Sequence, residues 1–178
     1  MRLIVPIALL VLASGAVLTA CVPQPAAPPP APPPAPVSRP APPPVMPASS
    51  DWRDWPLTPG TWSYQRDARG SVASFGPVGS DARMILRCDA GRRQMFLSIA
   101  GSIPAPLTIR TSSLSRSVPV QPTGGTPPYV AAALAPGDGL LDAMGLSRGR
   151  FVVQQSGGPT LVVPAWAEIE RVTEDCRG

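Results

Sequence analysis

The chain contains no histidine and no lysine, and these two absences exclude a large part of enzyme chemistry. Without histidine there is no Ser-His-Asp or Cys-His catalysis and no zinc site with a histidine ligand. Without lysine there is no Schiff-base chemistry and no Ser-Lys nucleophile. All fifteen basic residues are therefore arginines. We expect a protein that is not an enzyme and that needs neither a cofactor nor a metal.

Charge is also sparse, since charged residues make up only 15% of the chain. Beyond residue 50 there are thirteen arginines and eleven carboxylates, a net charge of about +2 by count. The arginines do not form a stripe with interleaved aromatic residues, which argues against nucleic-acid binding. The carboxylates do not form the dense acidic loop that is typical of a calcium site.

Apolar residues dominate the N-terminal segment, which carries Arg2 near its start. The run of apolar residues is almost unbroken from residue 3 to residue 17. A charged start, an apolar stretch and small residues before a cleavage site are typical of a secretory signal peptide. The segment ends in the sequence Leu-Thr-Ala-Cys at residues 18–21. This sequence resembles the lipobox of bacterial lipoproteins, in which leucine and two small residues precede a cysteine.

The resemblance implies that Cys21 receives a lipid and that residues 1–20 are removed, so that Cys21 becomes the first residue of the mature protein. Several acyl chains on one cysteine hold a protein at a membrane durably. Val22 stands where an aspartate would favour retention at the inner membrane in lipoproteins of the enterobacterial type. We therefore expect lipid anchoring at the outer membrane, with the rest of the chain facing the periplasm.

Two other interpretations of the same segment stay open. Small residues at Ser14 and Ala16 also suit an ordinary signal peptidase, which would leave no lipid. The apolar run of about 18 residues is also at the lower limit of the length that spans a bilayer, so an uncleaved anchor is the third interpretation.

Proline and alanine make up most of residues 22–50, and Arg39 carries the only charge. Proline lacks a backbone donor and fixes φ, so neither helix nor sheet forms there. An extended polyproline II spacer of roughly 29 residues, at about 3.1 Å per residue, reaches about 90 Å. We expect a disordered passive linker, and the alternative is a ligand for a proline-binding groove or for the cell wall.

Two cysteines remain once Cys21 is assigned to the lipid. Cys88 and Cys176 form a pair in an exported protein, and the compartment is oxidising, so a disulfide is expected between them. A redox-active pair is disfavoured because the two cysteines lack the C-x-x-C spacing.

Alternation of apolar and polar residues predicts a series of short strands in residues 51–178, which have the length of one ordinary domain. The clearest hairpin joins residues 82–88 to residues 93–99 across a turn that contains Gly91. Residues 128–134 suit a strand or a helix. The other predicted strands are residues 61–65, 70–76, 107–111, 117–121, 150–154 and 160–163. Of these, 117–121 is predicted to be an edge strand, because Pro119 interrupts its hydrogen bonds.

Two helices complete the predicted fold. Asp138 caps a short helix that runs through Met144 and ends at Gly145. Pro164 opens a longer helix over residues 165–176, whose buried stripe is predicted to be Trp166, Ile169, Val172 and Cys176. Many short strands with little helix indicate a mainly β fold, a small antiparallel sandwich or barrel with the C-terminal helix packed on it.

Trp52 and Trp55 lie three residues apart before Pro56, so they share one face of a helical turn. We expect them to act as a hydrophobic clip at the start of the domain, because an exposed tryptophan is costly. If both rings were exposed, the pair would instead be a stacking platform for a sugar or a partner.

Residues 145–149 match the G-x-S-x-G pattern of a nucleophile elbow. The pattern requires a preceding strand and a histidine, whereas this segment follows a predicted helix in a chain without histidine. We therefore interpret it as a turn. Arg148 and Arg150 are spaced so that they share a strand face, which allows bidentate binding of a carboxylate or phosphate. A solvated sheet face, on which the arginines pair with nearby carboxylates, is the favoured interpretation.

The sequence favours a non-enzymatic outer-membrane lipoprotein whose β domain binds an envelope protein or cell-wall partner, or stiffens an envelope assembly. One alternative is a ligand-binding or inhibitor module that holds an apolar or anionic molecule near Trp62, Arg148 and Arg150. A second alternative is a hydrolase that uses paired carboxylates such as Asp138 and Asp142.

Overall fold

Ten strands and two α-helices make up residues 51–178, which are the part of the chain that the computed structural model describes. The predicted signal peptide, the lipid site at Cys21 and the linker lie outside these residues. The strands are β1 (Thr61–Asp67), β2 (Gly70–Gly76), β3 (Met84–Asp89), β4 (Gln94–Ala100), β5 (Leu107–Arg110), β6 (Ser115–Val118), β7 (Gln121–Pro122), β8 (Tyr129–Leu134), β9 (Arg150–Gln155) and β10 (Leu161–Pro164). The helices are α1 (Gly139–Gly145) and α2 (Ala167–Arg177).

The strands form two antiparallel sheets. The larger sheet has six strands in the order β1-β2-β3-β4-β8-β7, and the smaller has four in the order β10-β9-β5-β6. The predicted mainly β class is confirmed, and the architecture is a small sandwich with the C-terminal helix packed on it. The ambiguous residues 128–134 form a strand, β8, beside β4.

Aspartates at strand ends fix the hairpin turns of the larger sheet. The Asp67 carboxylate accepts hydrogen bonds from the backbone N–H groups of Arg69 at 2.9 Å and Gly70 at 3.2 Å. Asp89 accepts one from Arg92 N–H at 3.1 Å in the β3–β4 turn. Gly70 has a φ of +143°, and a Cβ there would lie 2.6 Å from a backbone oxygen of β3, so the turn requires glycine.

Strand alternation separates the core from the outer faces of the sheets. In the β3–β4 hairpin Leu86 lies opposite Leu97, as the predicted hairpin required, and both are fully buried. Ile109 and Val153 pair in the smaller sheet and belong to the same hydrophobic cluster. The inner faces of the two sheets therefore share one core.

Helix α2 packs on β2 and β3 and against α1. Ile169, Val172 and Cys176 are buried as predicted, and Cys176 forms the predicted disulfide with Cys88. Trp166 is an exception, because 47% of its surface is exposed. The helix starts at Ala167, and Trp166 is an extended N-cap residue that lies outside the helical period.

A polar network also fixes α2 to the edge of the larger sheet. The Tyr64 hydroxyl on β1 donates to the Asp175 carboxylate at 2.6 Å, and Arg66 pairs with the same carboxylate. The Arg171 guanidinium lies 4.0 Å from the centre of the Tyr64 ring. The helix is therefore held by side chains at one edge and by the disulfide nearer the middle of the sheet.

The predicted edge strand over residues 117–121 is wrong in its position. The structure has β6 ending at Val118 in the smaller sheet and β7 beginning at Gln121 in the larger sheet. The intervening Pro119 and Val120 carry the chain from one sheet to the other. Proline cannot donate to a strand ladder, so a crossing point suits it.

The two tryptophans at the start of the domain behave as the predicted clip. Trp52 is buried against Val152 and Val162, which face away from the main core, and Trp55 packs beside them half-buried. This contact covers the outer face of the smaller sheet, where Leu161–Pro164 is buried at every position.

The disulfide closes a loop with a sequence separation of 88 residues, so its removal should destabilise the domain. We predict that replacing Cys88 and Cys176 together with alanine lowers the free energy of unfolding by about 2–4 kcal/mol, because the unfolded chain gains entropy. Urea denaturation measures the change. Wild-type protein with reductant is the matched control and should show a similar loss, whereas unchanged unfolding in both cases would contradict the prediction.

Candidate functional site

A cavity of about 680 Å³ lies on the outer face of the six-stranded sheet. We call it the outer groove. Its floor is formed by Ile85, Phe96, Ser98, Ala131 and Ala133, one wall by Arg69, Arg87 and Arg92, the other wall by Pro119, Gln121, Pro122 and Thr123, and one end by Tyr129. It combines an apolar floor with three guanidinium groups.

The floor follows directly from strand register. Arg87, Phe96 and Ala133 lie opposite one another on β3, β4 and β8, and therefore point to the same face. Ile85 and Ala131 both lie opposite Ser98 in the adjacent row. These positions alternate with the core residues of the same strands, so the groove floor and the core are opposite faces of one sheet.

Arg69, Arg87 and Arg92 form what we call the arginine cluster. Arg69 comes from the β1–β2 turn, Arg92 from the β3–β4 turn and Arg87 from β3 itself. The two turns lie at the same end of the sheet, since Gly70, the first residue of β2, pairs with Asp89, the last residue of β3. The fold thus brings three guanidinium groups to the same end of the sheet.

Two carboxylates hold the arginine cluster in place. Arg69 donates to Asp89 at 2.8 Å, and Arg87 donates to Asp67 at 2.7 Å. The hydrogen bond from Arg87 lowers the pKa of Asp67, and the hydrogen bond from Arg69 lowers the pKa of Asp89. Both carboxylates are therefore ionised at neutral pH, and three arginines face two negative charges.

The second wall is tied to the sheet by backbone hydrogen bonds. Gln121 pairs with Ala131 in register, and the Thr123 N–H donates to the Tyr129 carbonyl at 2.9 Å. The Tyr129 hydroxyl donates to the Ala82 carbonyl at 2.5 Å, which holds the ring at its end of the groove. The second wall is therefore positioned by its hydrogen bonds to β8.

The groove is polar at one end and apolar along its length. Ala133 lies in the row of Arg87, whereas Tyr129 lies four residues earlier on β8. At about 3.3 Å per residue, the apolar floor extends about 13 Å away from the arginine cluster. Such a shape suits a ligand whose two ends differ in polarity.

The structure places Trp62, Arg148 and Arg150 outside this groove. The Trp62 ring is 6% exposed, packs on Phe75 and donates its indole N–H to the Pro164 carbonyl at 2.9 Å. Arg150 donates to the Trp55 carbonyl. Trp62 and Arg150 therefore serve internal contacts, and exposed Arg148 lines a different cavity that also contains Leu146.

Asp138 and Asp142 are held by two different arginines. Asp138 caps α1 through the Leu140 N–H at 2.8 Å and accepts two hydrogen bonds from Arg116, whose donation lowers the pKa of Asp138. Asp142 pairs with Arg177 at 2.7 Å. Each carboxylate thus has a structural role, and this geometry does not support the hypothesis of a paired-carboxylate hydrolase.

Ser147, the serine of the G-x-S-x-G pattern, is buried just after α1. Its hydroxyl donates to the Arg150 carbonyl at 2.6 Å and accepts from the Ser112 N–H at 3.0 Å. The segment is a turn between a helix and a strand, as the sequence analysis interpreted it.

Residues 51–178 contain no group of three or more His, Cys, Asp or Glu side chains arranged to hold a metal ion. In the same residues, no helix combines the length and apolar character that crossing a bilayer requires.

The outer groove was not predicted from the sequence. The available signal was the pair of large apolar residues, Ile85 and Phe96, at outward strand positions beside Arg87. These two residues lie on the same face as Ala131 only because β4 pairs with β8, and this pairing cannot be read from the alternation of residues within each strand.

Comparison of the chain with protein-family models, with curated proteins and with solved structures gave no match. Function is therefore inferred from the geometry and chemistry of the described residues.

Glu170 is the one carboxyl group among the described residues whose pKa is raised. Burial at the α1–α2 contact is the main cause, and the neighbouring Asp142 adds to it. The Glu170 side chain lies over Gly145, where any Cβ would collide with it. Its Oε1 atom is buried without a hydrogen-bond partner, so the ionised form is poorly accommodated.

We predict that Glu170→Gln stabilises the domain at neutral pH. A raised pKa means that the folded state binds more protons than the unfolded state between the ordinary glutamate pKa of 4.5 and the higher pKa of the folded state, so stability falls as pH rises through that range. Urea unfolding from about pH 4 to about pH 8 should show a flatter profile for the variant. Glu168→Gln, the same change on the same helix, is the control, and identical profiles for Glu170→Gln and wild type would contradict the prediction.

Proposed function

We propose that this protein is a cell-envelope lipoprotein, tethered through Cys21 to the outer membrane, whose β domain is a non-catalytic binding module that works through the outer groove. The observation that supports this most strongly is the groove itself. Its volume of about 680 Å³ falls in the range of about 300–1,000 Å³ that is typical of ligand pockets. Three arginines converge on an apolar floor, which is the arrangement expected of a binding module rather than of a plain solvated sheet face.

The polar groups of the groove favour binding over catalysis. They are guanidinium groups, the hydroxyls of Ser98, Thr123 and Tyr129, and the Gln121 amide. A general base with a pKa near neutrality is not among these groups, and neither is a partner that would activate a hydroxyl. The Tyr129 hydroxyl already donates to the Ala82 carbonyl and the Thr123 hydroxyl to the Tyr129 carbonyl. The guanidinium groups, the Ser98 hydroxyl and the Gln121 amide are the donors that can orient and hold a negatively charged or polar group.

The tether and the linker support an envelope location. The lipobox-like residues 18–21 precede a proline-rich spacer that could reach about 90 Å, enough to hold a domain well away from a membrane surface. A disulfide between Cys88 and Cys176 suits an oxidising compartment such as the periplasm. We propose that the domain faces the periplasm.

Between a small ligand and a large envelope partner, the geometry favours the small ligand. The groove has two walls and a floor of limited extent, whereas a stable protein interface buries about 800 Å² on each partner. Envelope-protein or cell-wall binding is the second candidate, and the long linker is the feature that favours it.

Intact mass spectrometry of the protein from the membrane fraction of its host tests the tether. We predict a mass in which acylated Cys21 is the first residue, together with two thiols that react with an alkylating reagent only after reduction. A lipid-free mass that corresponds to cleavage after Ala16 would refute membrane anchoring and would leave a secreted domain.

A further inference from the structure

We infer that the outer groove takes an anionic amphiphile, a small molecule with an apolar body and one carboxylate or phosphate head group. This inference rests on the proposed function and specifies its ligand. The head group is bound by the arginine cluster, and the apolar body lies along the floor toward Tyr129.

The charge balance at the arginine cluster selects an anion. Arg69, Arg87 and Arg92 face Asp67 and Asp89, so one positive charge stays uncompensated. Arg92 reaches Asp89 only at 4.0 Å, and its side chain is 74% exposed. Each guanidinium has five N–H donors, of which the ion pairs use one or two, so donors remain for a bidentate head group.

The aspartates increase the selectivity of this site. Because Asp67 and Asp89 already neutralise two of the three charges, a polyanion gains little at this end of the groove. A single head group, either a carboxylate with one negative charge or a phosphate monoester with about one to two, is closer to the one excess positive charge than a polyanion is. The ion pairs also hold Arg69 and Arg87 in position before the ligand arrives, which lowers the entropic cost of binding.

The floor selects an apolar body. Ile85 and Phe96 point away from the core, and both are only half-buried. A small inorganic anion at the arginine cluster would leave these side chains in contact with water. An alkyl or aryl body would cover them, and the hydrophobic effect would then add to the charge interaction.

The linker of this chain and nucleic acids match the groove less well. The only charge in residues 22–50 is Arg39, which carries the same sign as the arginine cluster. A nucleic acid requires a row of phosphate contacts, whereas the cationic groups of the groove lie at one end. Charge complementarity therefore favours a small anionic amphiphile over both.

The test is equilibrium dialysis of radiolabelled octanoate and octyl phosphate against the mature, lipidated protein in zwitterionic lipid nanodiscs, with empty nanodiscs as the blank. Uncharged 1-octanol has the same alkyl chain and isolates the contribution of the head group. The variants are Arg87→Gln, which removes a head-group contact, and Ala133→Trp, which fills the exposed end of the floor. Arg148→Gln makes the same charge change outside the groove.

We expect saturable, single-site binding of octanoate or octyl phosphate that is stronger than binding of 1-octanol. Arg87→Gln should weaken anion binding about tenfold, since a charged hydrogen-bond donor is lost, and Arg148→Gln should not change it. Ala133→Trp should weaken the binding of all three amphiphiles. Circular dichroism of each variant checks folding, and the comparison of the two head groups shows whether carboxylate or phosphate is preferred.

Three results would overturn the inference. Equal binding of 1-octanol and the anions, still blocked by Ala133→Trp, would refute the anionic ligand class while the groove and the proposed function stood. Anion binding that is lost in Arg148→Gln and kept in Arg87→Gln would place the binding site outside the groove. That result would refute both the anionic-amphiphile inference and the proposed function of the groove. Binding of a synthetic peptide of residues 22–50, with none of the amphiphiles bound, would show that the linker is the occupant.

Discussion

The packing of helix α2 against the larger sheet, fixed by the bond between Cys88 and Cys176, is the constraint on which the rest of the domain depends. Cys88 belongs to an inner strand position, so the disulfide fixes which face of the sheet the helix covers. Together with the smaller sheet, α2 covers most of that face, including the fully buried Phe75, Leu86 and Leu97. The hydrophobic core therefore occupies the inner face of this sheet.

The outer face of the same sheet remains open, and its polarity differs from one end to the other. The hairpin turns that begin after Asp67 and Asp89 place Arg69 and Arg92 at one end, beside Arg87 of β3. The same two aspartates hold two of these three arginines by ion pairs, Asp89 with Arg69 and Asp67 with Arg87. The chain segment that crosses between the sheets forms the opposite wall. Local turn chemistry and sheet topology thus combine to form a groove that neither would produce alone.

Much of the fold could be predicted because alternation and capping are local. The hairpin of β3 and β4, helix α1 with its Asp138 cap, and the disulfide all followed from neighbouring residues or from counting cysteines. Trp166 was misplaced because the predicted helix began two residues too early, at residue 165 instead of Ala167. The groove could not be predicted, since it requires β8 to pair with β4 and the chain to change sheets after Val118, and both are tertiary choices.

Photo-crosslinking in the living host tests most directly whether the outer groove is the binding surface. A photoreactive residue at Thr123 places the crosslinker on the groove wall, and one at Leu146, which is 73% exposed, serves as a control away from the groove. We predict that illumination adds a defined small-molecule mass at position 123, while position 146 stays unmodified. Arg87→Gln should reduce the fraction of protein that carries this added mass. Crosslinking at position 146 without any at position 123 would contradict the account.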